Sequence, residues 1–219
     1  MEDTGKTARR EVKTRGFHLA KVAAAFLARH GVRPNTISFM SIFFSACCGA
    51  CLIFSSRTGT GGTALLLIAS AVLIQMRLLC NLFDGMVAIE GGLKTKSGEI
   101  FNDFPDRISD PLIIVSAAYA IPHMTYSLEI GWLAGLLSVM TAYVRVLGVS
   151  AGSNQYFSGP MAKQHRMAVM TLALLAAAAT AGTRFHGKII FAALVVIAAG
   201  CMITVLRRLN QSVRELENK

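Results

Sequence analysis

Long apolar blocks alternate with short polar connections along this chain of 219 residues. Apolar stretches of about 18 or more residues are typical of helices that cross a membrane. Six such blocks are delimited by the polar connections, at about 36–56, 62–89, 98–121, 129–151, 166–182 and 187–206. The pattern predicts an all-α integral membrane protein with six transmembrane helices.

The segment before the first block has a different pattern. Residues 16–30, GFHLAKVAAAFLARH, place apolar residues on one broad helical face, while Lys21 and Arg29 point elsewhere. A helix of this kind is typical of the membrane interface. We therefore predict an amphipathic interfacial helix at 16–30, which begins one membrane domain over 16–208. The charged residues 1–15 are expected to form a basic flexible N-terminus, and 209–219 a polar tail.

The basic residues suggest an orientation. Eight of the 22 Lys and Arg residues precede position 34, and the connections after the second and fourth blocks are also basic. Because basic residues are retained on the cytoplasmic side, both termini are predicted to be cytoplasmic, in an inner membrane. Arg184 and Lys188 fit this layout least well. The net charge of +10 is explained by the membrane, so we do not expect nucleic acid as a partner.

Polar side chains cluster where the second block ends and the third begins. Six of the 12 acidic residues lie between positions 84 and 110, and charges in a membrane helix usually mark a functional site. One helical face would carry Asn81, Asp84, Gly85 and Ala88, and another Gly98, Asn102, Asp106 and Asp110. A short connection would make the two helices antiparallel neighbours, so that these faces meet. Carboxylate and amide oxygens suit Mg²⁺ or Mn²⁺.

This spacing resembles the signature of the CDP-alcohol phosphatidyltransferase family. That signature reads Asp-x2-Asp-Gly-x2-Ala-Arg, then eight or nine residues, then Gly-x3-Asp-x3-Asp. The positions that match it here are Asp84, Gly85, Ala88, Gly98 and Asp106. Arg33-Pro34-Asn35-Thr36, Tyr143-Val144-Arg145 and Gly159-Pro160 are similar to further family segments, so the resemblance covers about residues 16–208.

Three positions depart from the signature. Asn81 and Asn102 stand where the family has aspartate, and Ile89 stands where it has arginine. The resemblance implies two divalent ions on four carboxylates in a typical member. This chain would hold one ion, or recruit Glu90, Glu99, Asp103 or Asp110. Arg77, on the same face as Asp84, would contact a substrate phosphate or replace a missing positive charge.

The resemblance implies transfer of a phosphatidyl group from CDP-diacylglycerol to an alcohol, with release of CMP. Asn81, Asp84, Asn102 and Asp106 are then the expected metal ligands, and Asp106 is also the expected general base. Gly85 and Ala88 would make space for the cytidine, and Gly98 would leave room for a substrate group close to the backbone. Arg145, Lys163 and Arg166 would bind a phosphorylated acceptor such as glycerol 3-phosphate. The family also suggests a homodimer.

Two other functions remain open at this point. One is a catalytically impaired relative that binds lipid or nucleotide, since two aspartates of the signature are missing. The other is a small cation transporter, but its acidic residues would lie on both sides of the membrane midplane, and here they lie near one side.

Overall fold

Seven helices account for most of the structure, a computed structural model that describes residues 18–93 and 97–219. The predicted basic N-terminus at 1–15, together with Lys94 and Lys96, lies outside the described residues. No strand occurs in the described part of the chain. The helices are α1 His18–Arg29, α2 Pro34–Ser55, α3 Thr60–Glu90, α4 Gly98–Tyr119, α5 Ser127–Ser150, α6 Lys163–Ala179 and α7 Phe185–Glu217.

The six long helices follow the six predicted blocks in order, and α1 corresponds to the predicted interfacial helix. The main difference is at the C-terminus, where α7 continues to Glu217 and includes most of the predicted polar tail. Its last turns are held by contacts with the connection between α5 and α6. Asn154 and Tyr156 donate hydrogen bonds to Glu215, and Ser158 donates one to Gln211.

By length and composition, α2, α3, α5 and α7 could each cross a membrane, counting only the described residues. The two other long helices differ for identifiable reasons. In α4 the first turns carry Asp103, Asp106, Arg107 and Asp110, and α6 has only 17 residues, fewer than the roughly 20 that a span requires.

The six long helices form a closed ring in the order α2, α4, α5, α7, α6, α3. An apolar core fills the ring, and α1 packs outside it against α3 through a small cluster that includes Ala24, Met86 and Val87. Close approach of α4 and α5 depends on Gly131, because a β-carbon there would lie 2.4 Å from the β-carbon of Ala118.

The ring corrects one expectation from the sequence. The helices α3 and α4 are consecutive but do not pack side by side, since α2 lies between them in the ring and their backbones barely approach each other. Their polar faces nevertheless meet, because long side chains bridge the interior: Arg77 and Asn81 of α3 both reach Asp106 of α4.

Candidate functional site

The polar side chains collect at one end of the ring. This end carries the first turns of α2, α4 and α6 and the last turns of α3, α5 and α7, because short connections make consecutive helices antiparallel. From α2 comes Ser38, from α3 Asp84, from α4 Asp106, and from α6 Lys163. Four helices thus contribute to one polar site; contributions from α3, α4 and α6 were expected from the sequence, and the contribution from α2 was not.

Asp106 is enclosed by hydrogen-bond donors. Its Oδ1 accepts from Arg77 Nη2 at 2.8 Å and from Asn81 Nδ2 at 2.9 Å, and its Oδ2 accepts from Lys163 Nζ. The side chain is 6% exposed, so these ion pairs lie in a medium of low dielectric constant. A carboxylate offers about four acceptor sites, so Oδ2 retains a lone pair for one more proton or ligand.

A second ion-pair system lies one turn deeper. Asp110 Oδ1 accepts from Arg77 Nη2 at 2.5 Å, and its Oδ2 accepts from Arg166 Nη2 at 2.5 Å and Nε at 3.2 Å. Arg166 also donates to Thr141 Oγ1 and to the carbonyl of Met161, and its side chain is 2% exposed. The structure therefore places Arg166 in the interior, where it binds protein groups on three sides.

Asp84 and Asn81 form the part of the site that suits a cation. The Oδ2 of Asp84 accepts a hydrogen bond from Ser38 at 2.7 Å. Among the described residues, neither Asp84 Oδ1 nor Asn81 Oδ1 has a hydrogen-bond partner, although both atoms are buried. A buried, unpaired carboxylate oxygen is costly unless a cation or donor satisfies it. These two oxygens, one turn apart on α3, therefore fit a hard divalent ion.

The candidate cation site at Asp84 and Asn81 contains few charged ligands. In the described part of the chain no three His, Cys, Asp or Glu side chains come together in a way that could hold a metal ion. An ion at Asp84 would need amide, water or substrate oxygens in addition. Mg²⁺ sites commonly have this composition, with one or two carboxylates and phosphate oxygens of the substrate.

Three basic side chains near the site are partly accessible. Arg145 Nη2 donates to Asp103 at 2.6 Å, and its guanidinium lies 5.1 Å from the ring centroid of Phe157. Arg107 also donates to Asp103, so this carboxylate joins α4 to α5. The exposed fractions of the side chains are 14% for Arg145, 25% for Arg107 and 29% for Lys163. These cations, unlike Arg166, lie where an anion from solution could reach them.

The remaining predicted residues lie at the end of α3 and the beginning of α4. Gly85 is buried and Ala88 half-buried at the end of α3, while Gly98 begins α4 and Asn102 lies one turn before Asp106. The structure describes no side-chain position for Glu99. Glu90, in the last turn of α3, is exposed. Within the described residues it forms no hydrogen bond or ion pair with a residue of the site.

Two contributors were missed from the sequence. Ser38 had a detectable signal: Ser38, Ser41 and Ser45 recur at helical spacing in an otherwise apolar block, and all three are buried. Arg208 had none, since it follows the last apolar block like an ordinary cytoplasmic arginine. It is buried, and it donates to the carbonyls of Ser158 and Thr141, which anchors the connection beside the site.

Comparison with known proteins gives one relative in sequence and a clear match in fold. No family model matches the chain. The inner membrane protein YnbA of Escherichia coli K12 is 26% identical over 153 residues, which cover 70% of this chain and 72% of YnbA.

The structural matches include three crystal structures of the phosphatidylinositol phosphate synthase PgsA1 of Mycobacterium tuberculosis. The complex with CDP-DAG has a TM-score of 0.72 at 18% identity and covers 90% of this chain and 94% of PgsA1. The complex with manganese and citrate has a TM-score of 0.71 at 20% identity and covers 88% of both chains. The apo form has a TM-score of 0.68 at 19% identity, with coverage of 86% and 93%. This chain therefore has the fold of that synthase over nearly its whole length.

Proposed function

We propose that this chain is a CDP-alcohol phosphatidyltransferase, which transfers a phosphatidyl group from CDP-diacylglycerol to an alcohol and releases CMP. One observation carries the proposal. The fold shared with a synthase crystallised with CDP-DAG brings the signature residues Asp84 and Asp106 to one polar end of the ring, beside buried oxygens suited to a cation.

Asp84 and Asn81 are the proposed metal ligands, with Asn102 contributing from α4. The ion would be Mg²⁺ or Mn²⁺, and when bound it would neutralise charge on the diphosphate of the donor. The signature also assigned Asp106 to the ion. Since Arg77 and Lys163 already compensate its charge, we assign to Asp106 mainly the role of general base.

The base would act through Asp106 Oδ2. This oxygen has one donor, Lys163, and so retains an acceptor site for the proton of the attacking hydroxyl. The ammonium of Lys163 holds the carboxyl group in place and would also attract an anionic acceptor. After the transfer, the proton would leave from Oδ2 to the aqueous end of the site.

Recognition of the acceptor is proposed for Arg145 and Lys163, two partly accessible cations that form ion pairs with carboxylates of α4. A phosphorylated acceptor such as glycerol 3-phosphate would suit this excess of positive charge. Gly85, Ala88 and Gly98 would leave space for the cytidine. Arg166 would act indirectly, because it holds Asp110 and through it Arg77.

The same reasoning supports a place in the inner membrane. The donor lipid would enter the ring sideways, and both termini would be cytoplasmic, in keeping with the position of the last turns of α7 at the polar end. In this arrangement α4 and α6 would complete six spans, and α1 would lie in the interface. We also propose a homodimer, and the support for it is the family resemblance alone.

The test is CMP release from radiolabelled CDP-diacylglycerol by the purified full-length protein in lipid nanodiscs. A panel of acceptors would include glycerol 3-phosphate, inositol phosphate, inositol and serine, each with Mg²⁺, Mn²⁺ or EDTA. We expect metal-dependent release with one acceptor, strongly reduced in Asp106→Asn and unchanged in the matched control Glu90→Gln. Absence of release with every acceptor, or full activity of Asp106→Asn, would refute the proposal.

A catalytically impaired relative is the second candidate, favoured by the two asparagines and by the ion pairs of Asp106. The double variant Asn81→Asp with Asn102→Asp separates the two functions. Gain of CMP release from an inactive parent would indicate an impaired relative. An active parent that the double variant leaves unimproved or damages would indicate a working enzyme.

A further inference from the structure

Positive charge supplied by the protein itself surrounds Asp106. Arg77 is fully buried, and its Nη2 contacts both Asp106 Oδ1 at 2.8 Å and Asp110 Oδ1 at 2.5 Å. Lys163 contacts the other oxygen of Asp106. A guanidinium remains charged even in the interior, so this compensation is permanent. The carboxylate of Asp106 therefore does not require a metal ion.

Asp84 is in the opposite situation. It is 3% exposed, and no Lys or Arg side chain within the described residues forms an ion pair with it. Its nearest donor is the neutral hydroxyl of Ser38, and its Oδ1 has no partner. Of the three buried carboxylates that the structure describes in the site, Asp84 is the one that forms no ion pair with a Lys or Arg side chain.

Asn81 separates these two environments. Its Nδ2 donates to Asp106 Oδ1 at 2.9 Å, whereas its Oδ1 is buried without a partner among the described residues. An amide can do both at once because one end donates and the other accepts. An aspartate at position 81 would present an acceptor to Asp106 in place of a donor. The asparagine therefore matches a site with an arginine on one side and a cation on the other.

We propose that Arg77 takes the place of a second divalent cation, so that the chain binds one ion, at Asp84 and Asn81, with Asp106 outside its coordination shell. The inference rests on the proposed function, since it concerns the metal of that reaction. Arg77 is then a positioning residue: it fixes the orientation and the charge balance of Asp106 without touching the substrate.

The experiment counts bound Mn²⁺. The full-length protein in nanodiscs is titrated with Mn²⁺, and the free ion is followed by its electron paramagnetic resonance signal. We expect one Mn²⁺ per chain in the parent protein. Arg77→Met removes the cation that Asp106 shares with Asp110 and should raise the stoichiometry to two, whereas Arg77→Lys should keep it at one. The matched control is Arg208→Met, which removes a buried charge that donates to the carbonyls of Ser158 and Thr141 rather than to a carboxylate, and it should keep one ion.

Folding is checked for each variant by size exclusion and by helical circular dichroism. If Arg77→Met does not fold, Arg77→Gln is the second variant, because it keeps N–H donors but removes the charge, and it should also bind two ions. Two ions in the parent, or one ion in a folded neutral variant, would overturn the inference.

These outcomes are separable from failure of the proposed function. An enzyme that releases CMP with two ions per chain would contradict the role of Arg77 alone. A protein that binds no Mn²⁺ and releases no CMP would contradict both proposals. One ion in the parent together with two in the neutral variant supports the inference, whichever acceptor the enzyme uses.

Discussion

Asn81→Asp should make the stability of this protein depend on a divalent cation. In the structure, Asn81 Nδ2 lies 2.9 Å from Asp106 Oδ1, as donor to acceptor. The substitution is nearly isosteric, so it changes no packing. It replaces the donor by an oxygen and brings a second negative charge beside Asp106.

The magnitude follows from the separation of the two charge centres, which is larger than the distance between the two nearest atoms because each charge is shared by two oxygens. Two unit charges about 4 Å apart repel by about 4 kcal/mol at an effective dielectric constant near 20. Loss of the hydrogen bond to a charged acceptor adds about 1.5 kcal/mol or more. Arg77 offsets part of this repulsion, and uptake of a proton by one of the carboxyl groups limits it. A bound divalent ion would remove most of the rest.

The assay is thermal unfolding in nanodiscs, with EDTA and then with excess Mn²⁺. We expect the variant to unfold several degrees below the parent in EDTA and to gain more from Mn²⁺ than the parent does. The control is Asn210→Asp, which makes the same change at an exposed position of α7 and should shift neither value.

Equal unfolding temperatures of the variant and the parent in EDTA would contradict the reasoning. They would mean that position 81 does not face Asp106 across a short distance in a medium of low dielectric constant. A higher unfolding temperature of the variant without metal would contradict the reasoning more strongly, since the hydrogen bond from the Asn81 amide to Asp106 would then not stabilise the fold.

Three further predictions concern Asp84, Ser38 and Gly159. Asp84→Asn should abolish Mn²⁺ binding in the titration followed by electron paramagnetic resonance, because it removes the buried carboxylate that forms no ion pair among the described residues. Undiminished binding would show that the ion binds elsewhere. Ser38→Ala should weaken Mn²⁺ binding about tenfold, since its hydroxyl orients Asp84 from behind, and an unchanged titration would show that this hydrogen bond is dispensable. Gly159→Ala should destabilise the protein by about 2 kcal/mol or more, measured as a lower unfolding temperature. Its φ is +123° and a β-carbon would lie 2.5 Å from Thr204 Cγ2, whereas Gly61→Ala, with open space around it, is the control that should not lower this temperature.

The sequence predicted the helices of the fold more completely than it predicted the contacts of the site. Except at the end of α7, each predicted block corresponds to one helix within a few residues, as for 62–89 and Thr60–Glu90, because a long apolar run between polar connections leaves few alternatives. The helix α7 continues past the predicted apolar block to Glu217. Its last turns are polar and gain their stability from contacts with residues 151–162, which apolarity does not reveal.

The chemistry of the site was predicted only in part. The spacing of Asn81, Asp84 and Asp106 indicated residues that do converge, because a helix repeats every 3.6 residues and the connections between helices are short. Their partners were not predictable. The ion pair of Arg166 with Asp110 joins positions far apart in the chain, and no local pattern encodes such a contact.

By itself, the sequence determined that this protein is helical, which stretches are apolar, and which helix faces carry oxygen ligands, since these depend on residue type and local periodicity. Only the tertiary structure decided how the ring is ordered and which charges compensate each other. Arg77 illustrates the difference: its position on α3 is readable from the chain, but its contacts with Asp106 and Asp110 exist only because α2 and α6 hold α3 at the right distance from α4.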